Sequence, residues 1–157
     1  MQKIDIINPD NVSESEAETL EIQEAVRAIV FNKERTKIAT QYSNNHFYHK
    51  LPGGGVEGQE NLAEALKREC LEELGYYIES ESDLGDIFEY RKNEKQKVKR
   101  VSHCYVVQIV GNEQELNLDA AEKRSGFVVE WMTLDEALVL WEKEIVEASQ
   151  DGSNKYI

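Results

Sequence analysis

Across 157 residues the chain carries 31 acidic against 18 basic side chains, a formal charge of -13, and 40% of it is apolar. That is enough chain for a single domain, 1–157, with its own core, while the charge excludes a nucleic-acid-coating protein or a basic membrane-surface protein. No apolar stretch reaches transmembrane length, MQKIDIINPD lacks a secretory pattern, and Cys70 and Cys104 read as small buried hydrophobes with free thiols, so the expected location is the cytoplasm.

Taken in chain order, Lys3–Ile7 reads as a short strand closed by Asn8-Pro9. The acidic run Ser13–Glu18 reads as a solvated loop or connector. Glu21–Phe31 is a strand with an apolar centre, turned at Asn32–Arg35 into a returning strand, Lys37–Tyr42. Ser43-Asn44-Asn45 breaks the chain again. His46–Leu51 is extended, since Leu51 precedes Pro52 and is pushed out of the helical region. Asn61 is the N-cap expected for the next helix, Glu64 completes a capping box, and Gly75 suits the position beyond Leu74. Tyr76–Ile78, Asp86–Tyr90 and Val101–Val110 read as strands. Between the last two lies Arg91–Arg100, with six basic residues in ten. It is a solvated hairpin tip or, on the alternative reading, a phosphate contact. Phe127–Met132 is the final strand, and Thr133 with Glu136 caps a terminal helix, Leu134–Ala148. Strands and two helices without βα alternation point to α+β, a mixed β-sheet flanked by helices.

The chemistry gathers at Gly54–Tyr76, GGVEGQENLAEALKRECLEELGY. Glu69, Glu72 and Glu73 stand at i, i+3 and i+4 on one helical face, an arc of about 100°. Like charges so close repel by roughly 0.2–0.5 kcal/mol per exposed pair. A chain that gathers them is building a site for hard cations, which take carboxylate oxygens. Pro52-Gly53-Gly54-Gly55 lets backbone groups approach a metal or phosphate closely, because no Cβ intervenes. Close carboxylates also resist joint ionisation, so at least one should titrate high without metal. Arg68 pairs with Glu72 at i+4 or turns inward to orient Glu69. An isolated Glu-rich amphipathic helix is more often just a solvated face. The glycine turn, Glu60, Gly75 and the flanking strands tip the balance to a site. His46, His49 and His103 lack zinc-type spacing with the cysteines and read as pocket wall or surface. Phe47 and Tyr48 are base-stacking or core aromatics.

Gly54-x5-Glu60-x7-Arg68-Glu69-Cys70-x-Glu72-Glu73-x-Gly75-Tyr76 resembles the Nudix box, the defining motif of the MutT-like Nudix hydrolases. Its two departures are Cys70 and Tyr76 at places that usually hold bulky aliphatics; Tyr76 asks for more room behind the helix. The resemblance implies an α/β/α sandwich and a divalent-metal-dependent pyrophosphohydrolase. It implies Mg²⁺ or Mn²⁺ held by Glu69, Glu72, Glu73 and the Gly53 carbonyl, with Gly54, Gly55 and Glu60 forming the substrate loop. Hydrolysis would use the cation to neutralise a diphosphate and ease deprotonation of water, with a carboxylate as base. Glu69 is the expected base, Arg68 its orienting partner, and Glu122, in the loop before the last strand, the alternative. The substrate is a nucleoside diphosphate linked to another moiety, with a nucleoside triphosphate preferred. A dinucleoside polyphosphate, ADP-ribose or a nucleotide sugar is the alternative. The competing function is a catalytically silent nucleotide-sensing module of the same fold. No nucleic acid or membrane partner is expected, and a homodimer through Phe127–Trp131 or the N-terminal strand stays open.

Overall fold

The structure, a computed structural model, describes residues 2–150; the remaining ends of the expected 1–157 domain, Met1 and 151–157, lie outside them. Seven strands form one mixed sheet: β1 (Lys3–Ile7), β2 (Glu21–Phe31), β3 (Ile38–Ser43), β4 (Tyr48–Lys50), β5 (Tyr77–Lys92), β6 (Lys97–Val110) and β7 (Phe127–Met132). The order is β1-β5-β6-β2-β3-β4, with β7 paired to β3. β6 runs parallel to β2 and antiparallel to β5, so the two longest pairings cross the middle of the sheet.

The core lies between this sheet and α2 (Leu62–Leu74). Val26, Ala28 and Val30, alternate residues of β2, meet Ala65, Leu66, Cys70 and Leu74 of the helix, all buried. Strand period two and helix period 3.6 put each set on one face. Asn61 Oδ1 accepts bonds from the Ala63 and Glu64 amides, the Glu64 carboxylate accepts one from the Asn61 amide, and Gly75 closes the helix in the left-handed region at φ +72. A cap of this kind contributes about 1 kcal/mol.

β3 meets β2 at Phe31 and Ile38 and then diverges. The glycine turn takes its place along β2: Ala28 N–H donates to Pro52 O, Val26 N–H to Gly54 O, and Val56 N–H to Glu24 O. The approach is so close that a Cβ on Gly53, at φ +129, would collide with the Val26 carbonyl. The turn is therefore fixed like a strand.

Four expectations need correction. Ser13–Glu18 is not a loop but carries α1 (Glu14–Ala17), because Ser13 and Glu16 form a complete capping box and Ala17 is buried with Val12 and Leu20. Of Tyr76–Ile78 only Tyr77 and Ile78 are strand, and they belong with Asp86–Tyr90 to one strand, β5, whose register slips between Ser80 and Ser82 and again between Asp83 and Gly85. These irregularities let a polar, glycine-containing stretch stay paired with β6. Arg91–Arg100 is mostly strand, since β5 and β6 pair as far as Lys92 and Lys97. Finally, Glu122 lies on a short helix, α3 (Ala120–Ser125), capped by Asp119 and closed by Gly126. The terminal helix, α4 (Leu134–Gln150), has the expected Thr133–Glu136 cap and extends past the expected end. No described helix is long and apolar enough to cross a membrane.

Candidate functional site

A polar cleft of about 1130 Å³ opens where β2, the glycine turn, α2 and α3 meet. Glu69 lines it from α2 and Glu122 from α3, and the buried Glu73 of α2 joins them, each of the three offering an oxygen within 4.8 Å of the others. Glu69 and Glu73 are buried, the latter 1% exposed. Three carboxylates drawn together and largely removed from water are a hard-cation donor set.

Local folding explains the placement. Glu69 and Glu73 are one turn apart on α2, at the edge of its apolar stripe. Gly54 presses against the Glu69 carboxylate so tightly that a Cβ there would overlap it. Gly53 N–H donates to Glu73 Oε2 at 2.6 Å, and Lys50 Nζ donates to Glu73 Oε1 at 2.8 Å. Lys50 Nζ is also 4.0 Å from Glu122 and 4.6 Å above the Phe127 ring.

Arg68 organises the other side. Its guanidinium donates to both Glu60 oxygens (3.1 and 2.6 Å), to Glu69 Oε1 (2.8 Å), to Glu72 Oε2 (3.2 Å) and to Gly55 O (2.9 Å). Both roles open to it, pairing with Glu72 and orienting Glu69, are filled at once. Glu60 also accepts from Glu57 N–H at 2.7 Å, which closes the loop before the helix. Glu72 lines the cleft but stands outside the close trio of carboxylates.

The electrostatics follow from burial. Desolvation is the largest cause pushing the Glu73 carboxyl up to about 7, with a hydrogen bond to Glu122 adding to it and Lys50 and the Gly53 amide opposing. Glu69 is also raised, again chiefly by burial, against the pull of Arg68. High titration was expected from like-charge crowding; crowding contributes, but loss of water dominates. Glu60 is lowered by its bond to Arg68.

Two cationic side chains in the cleft, Lys50 and Arg27, escaped the sequence reading, and a third, Arg100, ends the basic segment read as a hairpin tip or a phosphate contact. Arg27 faces the cleft from the middle of β2, where burial lowers its pKa and the Glu73 and Glu69 charges restore part of it. A lone arginine inside the apolar run AVRAIVF was the available signal. Arg100 comes from the start of β6, 3.7 Å from Glu89. Elsewhere on the basic hairpin, Arg91 donates to Glu89, Lys92 pairs with Glu16 while its amide donates to Asp10, and Lys99 stands over the Phe88 ring.

Other candidates fall elsewhere. His49 bridges Glu130 and Glu144, and His103 pairs with Asp86 at 2.7 Å. The metal-type cluster found among the described residues includes no histidine. Tyr48 packs edge-on against Phe127, while Phe47 is 74% exposed, so neither lines the cleft. Tyr90 packs on the Val12–Ala17–Leu20 cluster. Tyr76 finds its room against Trp131, edge to face at 6.1 Å, with its hydroxyl on Glu113.

Comparison with known proteins places this architecture. A family model described as NUDIX domain matches residues 21–151. Among solved structures, the chain is similar to a NUDIX hydrolase from Nitrosomonas europaea, with a TM-score of 0.61, 19% identity, and coverage of 84% of this chain and 90% of that one. It is also similar to the MutT protein from Bacillus halodurans (TM-score 0.54, 23% identity, 75% and 72% covered). A third likeness is to the MutT protein from Methanosarcina mazei Go1 (TM-score 0.55, 15% identity, 85% and 96% covered). At these identities the likeness establishes the fold. A search of curated proteins finds no match.

Proposed function

From a chain that belongs to the Nudix hydrolase family, we propose a divalent-metal-dependent pyrophosphohydrolase that cleaves the phosphoanhydride bond of a nucleoside diphosphate derivative. The observation that carries this reading is the meeting of Glu69, Glu73 and Glu122 beside a cleft that Glu69 and Glu122 line together with Arg27, Lys50, Arg68 and Arg100. An acidic floor and cationic walls suit an anionic substrate bound together with a cation. The walls also answer the charge of -13, which would otherwise repel a polyphosphate.

The donor set fits Mg²⁺ or Mn²⁺. All three side chains are carboxylates, hard oxygen donors with their oxygens already close, and they lack the nitrogen or sulfur that would select zinc or copper. Glu69, Glu73 and Glu122 would hold the ion, with Glu72 and the Gly53 carbonyl as further ligands. When bound, the ion neutralises the diphosphate and lowers the pKa of water nearby. The chain supplies the rest. Arg68 locks the Glu69 carboxylate in direction, and Glu69, raised by burial, is suited to accept a proton from water. Glu122 is the alternative base, since it enters the same cluster. Gly54 and Gly55 let the backbone line the substrate channel closely.

A nucleoside triphosphate is the first substrate we assign. The resemblance ties ADP-ribose hydrolysis to a further proline outside the Gly54–Tyr76 motif, and Pro9 and Pro52 are the chain's two prolines. The same resemblance ties dinucleoside polyphosphate hydrolysis to a tyrosine near the place of Tyr90, which here packs on the Val12–Ala17–Leu20 cluster and does not line the cleft. Buried free thiols at Cys70 and Cys104 accord with a cytoplasmic setting. The test is a panel of nucleotides, nucleotide sugars and dinucleoside polyphosphates with Mg²⁺ or Mn²⁺. Release of pyrophosphate, phosphate or nucleoside monophosphate from at least one is expected. Inactivity on all of them would overturn the proposal, and tight binding without turnover would favour the silent sensing module.

A further inference from the structure

Each oxygen of the buried Glu73 carboxylate already has a donor, and the two donors differ in kind. Oε2 is held at 2.6 Å by the Gly53 amide, part of a turn fixed along β2. Oε1 is held at 2.8 Å by Lys50, an ammonium at the end of a flexible four-carbon stem. The first bond orients the carboxylate and leaves no room to move. The second is a charge in the place where a divalent cation would exert its own.

We propose that Lys50 is a transferable counterion: it neutralises Glu73 while the centre holds no metal, yields Oε1 to the arriving divalent ion, and then pairs with the substrate's phosphates. The inference rests on the metal-centre reading above and adds a residue and a coupling to it. Three observations support the transfer. Lys50 is 24% exposed at its side chain while Glu73 is 1% exposed, so the ammonium stands on the cleft side of the pair. It lines the cleft with Arg27, Arg68 and Arg100, where an anionic chain would pass. It also rests 4.6 Å from the Phe127 ring centroid, a second favourable place for a cation during the exchange.

The energetic argument has two parts. A carboxylate as buried as Glu73 would be costly to leave alone, and its paired lysine offsets part of that cost. A divalent ion must displace the lysine, which weakens metal binding in the absence of substrate. When a polyphosphate then accepts the freed ammonium, metal and substrate support each other, and the coupling is reciprocal. Lys50 is thereby a specificity device, favouring substrates with a phosphate within reach of its ammonium.

The experiment is Mn²⁺ titration without substrate, followed by paramagnetic resonance or calorimetry at alkaline pH so that protons do not compete. In K50M, which keeps the stem and removes the charge, the Kd for Mn²⁺ should fall by about tenfold, a change of roughly 1.4 kcal/mol. K50R should stay within about twofold of the parent. K50Q serves as a second neutral variant should K50M fail to fold. In parallel, KM for the best nucleotide should rise about tenfold in the neutral variants, with a smaller change in kcat. Neutral variants that bind Mn²⁺ no tighter than a parent that does bind it would overturn the counterion role alone. A parent that binds no Mn²⁺ would remove the metal-centre reading and this inference with it.

Discussion

Two helices deliver carboxylates to one cleft, and they are built in opposite ways. α2 is 13 residues long, capped at both ends, with a buried apolar face and a fixed glycine turn beside it. α3 is six residues long and buries none of them. What holds α3 in place is the end of β3 and the turn that follows it. Ser43 Oγ donates to Ser125 O, Asn44 Nδ2 to Gly126 O and Asn45 Nδ2 to Arg124 O, and the Asn44 and Asn45 amides add two more bonds. Glu69 and Glu73 are thus positioned by their own helix and its packing, while Glu122 is positioned by polar clamps from a distant turn. The lesson is that a site can combine a half fixed by core packing with a half held by its own caps and by polar clamps.

The contrast can be broken by substitution, and the largest effect should come from the rigid half. Glu73→Gln should lower kcat by about 10³-fold, roughly 4 kcal/mol, in steady-state assays of phosphoanhydride hydrolysis. Glu122→Gln should cost less, about 10- to 100-fold, because that carboxylate is less buried and less constrained. Equal losses, or the reverse order, would show that the helices contribute alike. Next in size is the turn. Gly53→Ala puts a Cβ into the Val26 carbonyl at φ +129 and should lower unfolding free energy by about 3 kcal/mol in urea melts. Its neighbour Gly55, with open space around the same point, should tolerate alanine far better.

The pH dependence sharpens the same comparison. Glu73 titrates near 7 when folded against 4.5 in the open chain, so the folded state holds the extra proton between those values. Its contribution to stability is fully present below the unfolded pKa and is lost as pH rises through about 7. The metal-free protein should therefore lose up to about 1.4 kcal/mol per pH unit across that window, with Glu69 acting in the same direction. Glu73→Gln should flatten that slope, as measured by urea unfolding from about pH 5 to 8; an unchanged slope would contradict the burial account. The smallest effect belongs to the clamp. Asn44→Ala with Asn45→Ala should reduce kcat/KM roughly tenfold, about 1.4 kcal/mol, with a melting temperature close to the parent's. A fall in stability without a fall in activity would mean that the clamp supports the fold rather than Glu122.

The same division governs how much of the molecule could be read from its sequence. α2 and its caps were legible because Asn61, Glu64 and Gly75 stand at fixed offsets along one helix, and the carboxylate spacing follows from helical period alone. The strands with strong apolar cores, β2, β6 and β7, were legible for the same local reason. Glu122 was named only through the family resemblance, as the alternative base, because its approach to Glu69 and Glu73 depends on bonds between residues about 80 positions apart. Lys50 gave no signal because its partner Glu73 lies 23 residues on, across the turn. The acidic run at Ser13–Glu18 misled for a different reason. Its charge suggested solvent, whereas the Ser13–Glu16 capping offset and the buried Ala17 carried the structural information. The halves of β5 looked separate because bulges, rather than turns, interrupt its pattern.

The central claim is that Glu69, Glu73 and Glu122 together hold the divalent ion on which hydrolysis depends. An anomalous difference map from crystals soaked in Mn²⁺ tests it most directly. A peak bounded by those three carboxylates, lost in Glu73→Gln crystals, is the predicted result. No peak there, in crystals of a protein that still hydrolyses a phosphoanhydride with Mn²⁺ in solution, would contradict the account.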